Sequence, residues 1–304
     1  MASSIDGTEL IFSHPALGMD LEYVVLLPDP ALRPLHLSRE KQRVQQTLDE
    51  GGWGYSSAHG ITLVRSLSFD TSLFGFPCAD LTRFYLQDTA PDRDIAELLD
   101  TTLDGCRDRG ITLLSARIPA YHIPLIHLLQ QRSFQLVDTS IELGGKLPLP
   151  YFLPPTDFCV RSATKDDREP LASIAATFEL NRFHWDERIP RQKAKEVYTS
   201  WVAAAAEGRH GQLLVIEVDG QVAGFATFVP ADEEVKVGIV GLVVIHPSFR
   251  GQRLLDPLLA ACAQQIEGRA CVTSTQVSNI SALRAFIRNG LLPIGARHVF
   301  HRWL

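Results

Sequence analysis

Between Leu147 and Pro155 the chain reads Leu-Pro-Leu-Pro-Tyr-Phe-Leu-Pro-Pro, four prolines in nine residues. Proline fixes φ and has no N–H, so this stretch cannot run as a helix or a central strand and is expected to be an extended linker. It lies near the middle of 304 residues, a length too great for one average domain and comfortable for two. The expected division is an N-terminal extension over 1–59, a domain over 60–146, the linker over 147–156 and a second domain over 157–304.

Composition narrows the classes of function. A net charge of −6 leaves no broad basic surface of the kind nucleic acid requires. The longest apolar stretches, such as Tyr23–Leu27 and Ile239–Ile245, fall far below the roughly 18 residues of a membrane span. Met1–Leu10 has no basic segment followed by an apolar one, so no signal peptide is expected. The five cysteines, Cys78, Cys106, Cys159, Cys262 and Cys271, are scattered and show no C-x-x-C spacing. That pattern points to a reducing cytoplasm and to no metal site.

After the linker the hydrophobic pattern alternates between periods. A short strand at Val160-Arg161 is followed by helices over Asp166–Glu179 and Lys193–Glu207. Leu213–Val218 and Val222–Val229 read as strands joined by an Asp219-Gly220 hairpin turn. A strand over Val235–Ile245 leads to a helix over Leu254–Ile266, with apolar residues at helical spacing. A strand at Ala270–Val277, a helix at Asn279–Asn289 and a last strand at Ala296–Leu304 follow. The class is α/β (α+β), a mixed, mostly antiparallel sheet with one parallel crossover and flanking helices. In the first half a helix is expected over Ser38–Asp49. Further on, Ile111–Ile118, a helix near His122–Gln131 and Phe134–Leu143 repeat the order of Ala270–Leu304. Aligning Phe134 with Leu291 sets Leu129 against Phe286 and His122 against Asn279. Either the halves are related, or strand–helix–strand units recur by chance, as they do in α/β proteins. The first half has no partner for the loop at Arg250, since Gln87-Asp88-Thr89-Ala90-Pro91 holds neither glycine nor arginine.

That loop is the most informative stretch. The strand Leu242-Val243-Val244-Ile245 stops at Pro247, and Phe249-Arg250-Gly251-Gln252-Arg253 carries the chain straight into a helix at Leu254. Pro257 sits well only in a first turn, which fixes the helix start at about Leu254. The N–H groups of Gly251 to Leu255 then face an anion site with the positive end of the helix dipole behind them. The alternative is a solvated basic turn. Downstream, Asn279, Ala282 and Phe286 share one helix face, and Ser278 or Asn279 can cap that helix.

These two stretches resemble the signatures of the GCN5-related N-acetyltransferase (GNAT) family. The loop corresponds to the family's Gln/Arg-x-x-Gly-x-Gly/Ala, with Arg253 and Leu255 where glycine or alanine is usual. Asn279-x-x-Ala282-x-x-x-Phe286-x-x-x-Gly290-Leu291 corresponds to its second motif, with Phe286 in place of a tyrosine that often protonates the departing thiolate. An alkyl thiol has a pKa near ~8.5 by analogy with cysteine, so the thiolate can leave unaided. The segment Asn181-Arg182-Phe183-His184-Trp185-Asp186 and the earlier Phe69–Phe76 resemble dTDP-fucosamine N-acetyltransferase-like members. The resemblance implies a GNAT fold preceded by a degenerate GNAT-like half, and acetyl-CoA or another acyl-CoA as donor. It further implies cofactor contacts at Leu242, Val243, Val244, Arg250, Gly251, Gln252, Arg253, Leu254, Asn279 and Phe286. Pantetheine would add beside Leu242–Ile245 like an extra strand, with an N–H near Val243 or Val244 facing the oxyanion. His184 and Asp186 are the candidate catalytic residues, or they tie down the acceptor loop by hydrogen bonds. The implied acceptor is a small-molecule amine such as an amino sugar. The alternatives are an acyl carrier protein as donor, a non-amine acceptor, or a binding protein without turnover. No general base is assigned.

Overall fold

The computed structural model describes residues 3–4, 33–87, 89–150, 152–178, 181–208, 211–231, 233 and 236–304. Tyr23–Leu27, most of Met1–Leu10, Asp88, Glu179 and Val235 lie outside the described residues. The chain forms two compact units, residues 1–139 with Ala296–Leu304, and Ser140–Gly295. The sequence placed the division at 147–156. By contacts that segment belongs inside the second unit, where Leu149 is buried and the Leu147 N–H donates to the Arg269 carbonyl over 2.9 Å.

The first unit runs β1 (Ser3–Ser4), α1 (Arg33–Asp49), β2 (Trp53–Ser56), β3 (Gly60–Ser66), α2 (Ser68–Phe74), β4 (Cys78–Leu86), α3 (Asp92–Asp108), β5 (Leu113–Pro119) and α4 (Ile123–Gln131). The start of β6 (Gln135–Lys146) and the end of β12 (Leu292–Trp303) complete it. Strands β1 to β4 are successively antiparallel, and β4 lies parallel to β5. The strand beside β5 is β12, in antiparallel register from Arg297↔Pro119 to Trp303↔Leu113. Helix α3 places Ile95, Leu98, Leu99, Leu103 and Cys106 on one face, against Leu81, Leu114, Ala116 and Phe300. Fully burying one such leucine contributes about 1.5–3 kcal/mol. In a smaller cluster Val44 of α1 packs with Ile61, Leu63 and Tyr85, where Glu40 accepts bonds from Arg83 and the Tyr85 hydroxyl.

The second unit contains the rest of β6, then β7 (Cys159–Ser162), α5 (Arg168–Ala176), α6 (Arg191–Ala206), β8 (Gln212–Val218), β9 (Gln221–Val229), β10 (Val237–Ile245), α7 (Leu255–Ile266), β11 (Ala270–Gln276) and α8 (Ile280–Arg288). Strands β7, β8, β9 and β10 are successively antiparallel, β10 lies parallel to β11, and β11 pairs antiparallel with β6. Asp219 and Gly220 both have positive φ, 50° and 74°, the backbone of the hairpin turn expected there. The helix expected over Asp166–Glu179 is shorter. A 3₁₀ turn at Lys165–Asp167 precedes α5, because the Asp167 carboxylate accepts from the Thr164 N–H and both Arg161 Nη atoms. One sheet face packs α7 and α8 through Leu258, Leu259, Cys262, Ile266 and Phe286 onto Leu143, Val240 and Cys271. The other packs α5 and α6 through Leu171, Ile174, Val202 and Ala205 onto Val215, Phe225 and Val244.

The aligned positions of the repeat coincide in geometry. His122 and Asn279 are both helix N-caps, and Leu129 and Phe286 are both buried. Phe134 N–H donates to the Leu129 carbonyl as Leu291 N–H donates to that of Phe286, each over 3.0 Å. The preceding residues, Ser133 and Gly290, both have positive φ.

Candidate functional site

Strands β10 and β11 pair over only three positions, ending at Ile239↔Val272, while β11 continues to pair with β6 as far as Gln276. Beyond Val272 the two parallel strands part. Register shows why. On β10, Val240 faces Phe228 and Val243 faces Ala226, so Gly241 and Leu242 together oppose Thr227. This is a β-bulge, and a bulge bends its strand. Thr227, which is buried, fastens it by accepting the Leu242 N–H over 2.9 Å. Gly241 is required here, since a Cβ would lie 2.5 Å from Thr227 Oγ1. Gly241 on β10 and Ser274 on β11 are exposed in mid-strand, at the mouth of the opening.

The bulge decides which backbone groups the opening receives. His246 N–H donates to Ala223 on β9, and Leu242 N–H to Thr227 on the same strand. By the alternation of an antiparallel strand, Val244 also faces β9, whereas Val243 and Ile245 turn theirs toward the opening. Two expectations change accordingly. The Leu242 N–H is already engaged, and of Val243 and Val244 it is Val243 whose N–H points the right way. Arg250 Nε closes on the Ile245 carbonyl at 3.2 Å and so ties the loop to the strand.

The loop has the form of an anion cradle. Arg250 N–H donates to the Pro247 carbonyl and Asp256 N–H to that of Arg253. Among the described loop and cap bonds, the N–H groups of Gly251 to Leu255 have no backbone acceptor. Helix α7 begins at Leu255, with buried Leu254 as its N-cap and Pro257 in its first turn. Gly251 has φ of 82°, and open space lies where a Cβ would project. Arg253, at the position where the family carries glycine, has φ of 59°. A left-handed conformation costs a non-glycine residue on the order of 1–2 kcal/mol. The side chains of Arg250 and Arg253 are exposed and that of Gln252 is half-buried. Asp256, an anion inside the first turn, is wholly buried and accepts from Arg288 Nη2 at 2.5 Å and Asn289 Nδ2 at 2.8 Å. Its charge is thereby matched within the protein and does not oppose an anion at the helix end.

On α8, the Asn279 side chain accepts the Ala282 N–H over 3.2 Å, the expected cap. Phe286, expected to border the cofactor, is instead only 4% exposed and lies inside the apolar cluster with Leu258 and Cys262. A side chain without a hydroxyl has nothing polar to draw it toward a wet cleft. On β11, Thr273 is buried, and its hydroxyl meets no partner among the described residues. It shares its face with Cys271, the side of α7 and α8. Unpartnered amides, two exposed arginines and an orphaned hydroxyl beside parted strands fit an elongated ligand with a phosphate end. Thr227, Thr273 and the Asp256–Arg288–Asn289 group carry no spacing signal and are legible only in three dimensions.

His184 and Asp186 lie in the segment between α5 and α6. The Asn181 N–H donates to His184 Nδ1 at 3.3 Å, and its side chain accepts from Phe183 N–H and donates to the Ala194 carbonyl. Asp186, 3% exposed, accepts the Arg188 N–H over 3.1 Å. Trp185 between them is exposed. A separate cavity of about 300 Å³ lies at the far end of α7, lined by Leu147, Leu149, Ala260, Ala263 and Glu267, away from the loop.

Residues 174–291 match the model of the acetyltransferase (GNAT) family. A tandem GNAT protein of the clavulanic acid biosynthesis pathway has a similar fold, with a TM-score of 0.55 at 15% identity over 83% of this chain and 82% of that one. A GCN5-related N-acetyltransferase from Kribbella flavida gives 0.57 at 15% identity over 85% of this chain and 93% of that one. This is a GNAT fold. Among curated proteins, the chain is 27% identical over 191 residues to the spore coat polysaccharide biosynthesis protein SpsD of Bacillus subtilis (strain 168). That match covers 62% of this chain and 65% of the relative's length. No described helix is long and apolar enough to cross a membrane.

Proposed function

We propose that the second unit transfers an acyl group from an acyl-CoA to a primary amine of a small molecule, an amino sugar or its nucleotide-linked form. The observation that carries this reading is the conjunction of the parted strands, the Val243 N–H facing the gap and the amides of Gly251 to Leu255, which meet no backbone acceptor among the described residues. In this reading the loop amides and the guanidinium groups of Arg250 and Arg253 hold the pyrophosphate. Val243 and Ile245 offer backbone groups to the pantetheine arm, and Thr273 a hydroxyl. Acyl-CoA supplies an activated thioester carbonyl, and in this reading the Val243 N–H donates to its developing oxyanion. His184 and Asp186 order the acceptor loop. In a neutral His184 whose Nδ1 accepts the Asn181 N–H, the proton sits on Nε2, so no ring lone pair remains for an acceptor's proton. The likeness to a polysaccharide biosynthesis protein supports a sugar acceptor.

A second reading, binding without turnover, is favoured by the buried Phe286 in place of a proton donor. Titration calorimetry with acetyl-CoA, paired with a thiol-release assay over a panel of amino sugars and simple amines, separates the two. Binding with amine-dependent thiol release is expected. Binding without release for any acceptor supports the second reading, and absence of binding contradicts both.

A further inference from the structure

The reaction proposed above needs a group to take a proton from the acceptor, since an aliphatic amine is an ammonium ion near neutral pH and has no lone pair to attack with. No carboxylate stands on β10. One stands on β6. In the register of β11 with β6, Glu142 is the direct partner of Ser274, so the two side chains are cross-strand neighbours on one face. Leu143 and Ile141 on β6 and Cys271 on β11 pack toward α7 and α8. Alternation therefore turns Glu142 and Ser274 to the opposite face, shared with Leu242 and Val244, where α5 and α6 lie. The height along the strands agrees. Counting two residues beyond the last parallel pair, Ile239↔Val272, reaches Gly241 on β10 and Ser274 on β11. Glu142 thus stands level with the bulge, one strand beyond the gap. The chain leaves room for its carboxylate at Gly295, where a Cβ would lie 2.8 Å from Glu142 Oε2.

We propose that Glu142 is the general base of the second unit's acyl transfer, receiving a proton from the ammonium group of the acceptor. Its carboxylate takes one N–H proton, and the freed nitrogen lone pair attacks the thioester carbonyl carbon. A C–N bond forms, the C–S bond breaks, and the second N–H proton leaves with the thiolate to give free thiol. The proton on Glu142 then passes to water. Burial pushes the Glu142 carboxyl up to about 7, near the operating pH at which a general base is most effective. Beside it on the same face stand Ser140 and Gly144 along β6 and Val272, Ser274 and Gln276 on β11. The base would come from a strand that precedes the Pro-rich segment and so lies outside residues 157–304.

This inference rests on the acyl-transfer reading, and one experiment keeps the two separable. Wild-type protein and Glu142→Gln are compared by thiol release with acetyl-CoA and a glucosamine-led amine panel, across pH 5.5 to 9 (roughly two units to either side of a base of the kind required). Glu142→Gln keeps the size and hydrogen-bonding reach of the side chain, and its melting temperature and calorimetric affinity for acetyl-CoA report whether fold and donor site are intact. The expected result is a fall in kcat of about 10²–10³-fold, with donor affinity within twofold. The rising limb of the wild-type pH profile near 7 should vanish in the variant. Gly295→Ala, which crowds the carboxylate, should lower kcat in the same direction by a smaller factor. A wild-type protein that releases no thiol with any amine sinks the acyl-transfer reading and this inference with it. An active wild type whose rate and pH limb survive in Glu142→Gln overturns the assignment of Glu142 alone.

Discussion

The crossover of the first unit and that of the second start from the same plan. In each, a bulged strand lies parallel to the strand after the crossover. Thr82 is the extra residue on β4, where Leu63 faces Arg83 and Val64 faces Leu81. Gly241 and Leu242 make the bulge on β10. In each the parallel pairing is brief, four positions between β4 and β5 and three between β10 and β11. The helix entrances differ. Helix α3 opens after Pro91 with Asp92 and Asp94, and Asp94 lies 3.3 Å from His59 Nε2. Two carboxylates already answer the positive end of that helix. Helix α7 opens after Arg250, Gly251 and Arg253, and its one carboxylate, Asp256, is held inside by Arg288 and Asn289. In the proposed reading a bulged strand and a crossover helix are not enough for a phosphate site, and the few residues at the helix entrance decide it.

The largest expected effect breaks the second entrance. Arg250→Glu with Arg253→Glu removes the two proposed charge-assisted contacts, each worth about 1.5–3 kcal/mol, and adds repulsion. Acetyl-CoA affinity measured by calorimetry should fall at least 100-fold with the melting temperature nearly unchanged. Affinity within threefold of wild type would mean that the arginines do not face the ligand. Next comes Asp256→Ala, which leaves the Asn289 amide and Arg288 without their buried acceptor. Losing one member of a buried pair costs about 3–5 kcal/mol. Arg288 is partly exposed and can turn to water, so we expect a loss near ~3 kcal/mol in denaturant unfolding. A change below ~1 kcal/mol would show that the α7 entrance does not depend on this group.

A smaller and opposite effect is expected of Arg253→Gly. It relieves the left-handed residue and should stabilise the fold by a few tenths to about 1 kcal/mol, while weakening acetyl-CoA binding several-fold. Gains in both properties would show that the guanidinium does not pair with phosphate. The smallest effect sharpens the contrast with the first unit, since Asp92→Lys with Asp94→Lys should leave acetyl-CoA affinity within twofold. A tighter complex would place part of the ligand at α3.

What the sequence made legible was local. The Asp219-Gly220 turn, the Asn279 cap and the start of α7 near Leu254 depend on residues adjacent in the chain, whose chemistry is the same in any context. The repeat was also legible, because a capped helix and a buried residue recur at matched spacing from His122 and from Asn279. The sequence did not disclose pairings that join distant residues. That β5 lies beside β12, and β11 beside β6, depends on register over long separations. The same limit hid the engagement of Leu242 N–H by Thr227, the burial of Phe286 and the position of Glu142. An apolar residue on an amphipathic helix suits a core as well as a ligand wall, and only packing separates the two.

The central claim, that the second unit's helix entrance and parted strand receive acyl-CoA and the first unit's do not, is tested most directly by amide hydrogen exchange with and without acetyl-CoA. Protection should rise in peptides covering 241–256, reflecting the amides of Val243 and Gly251 to Leu255, with no change over 89–95. Protection over 89–95, or an unchanged 241–256 under saturating ligand, would contradict it.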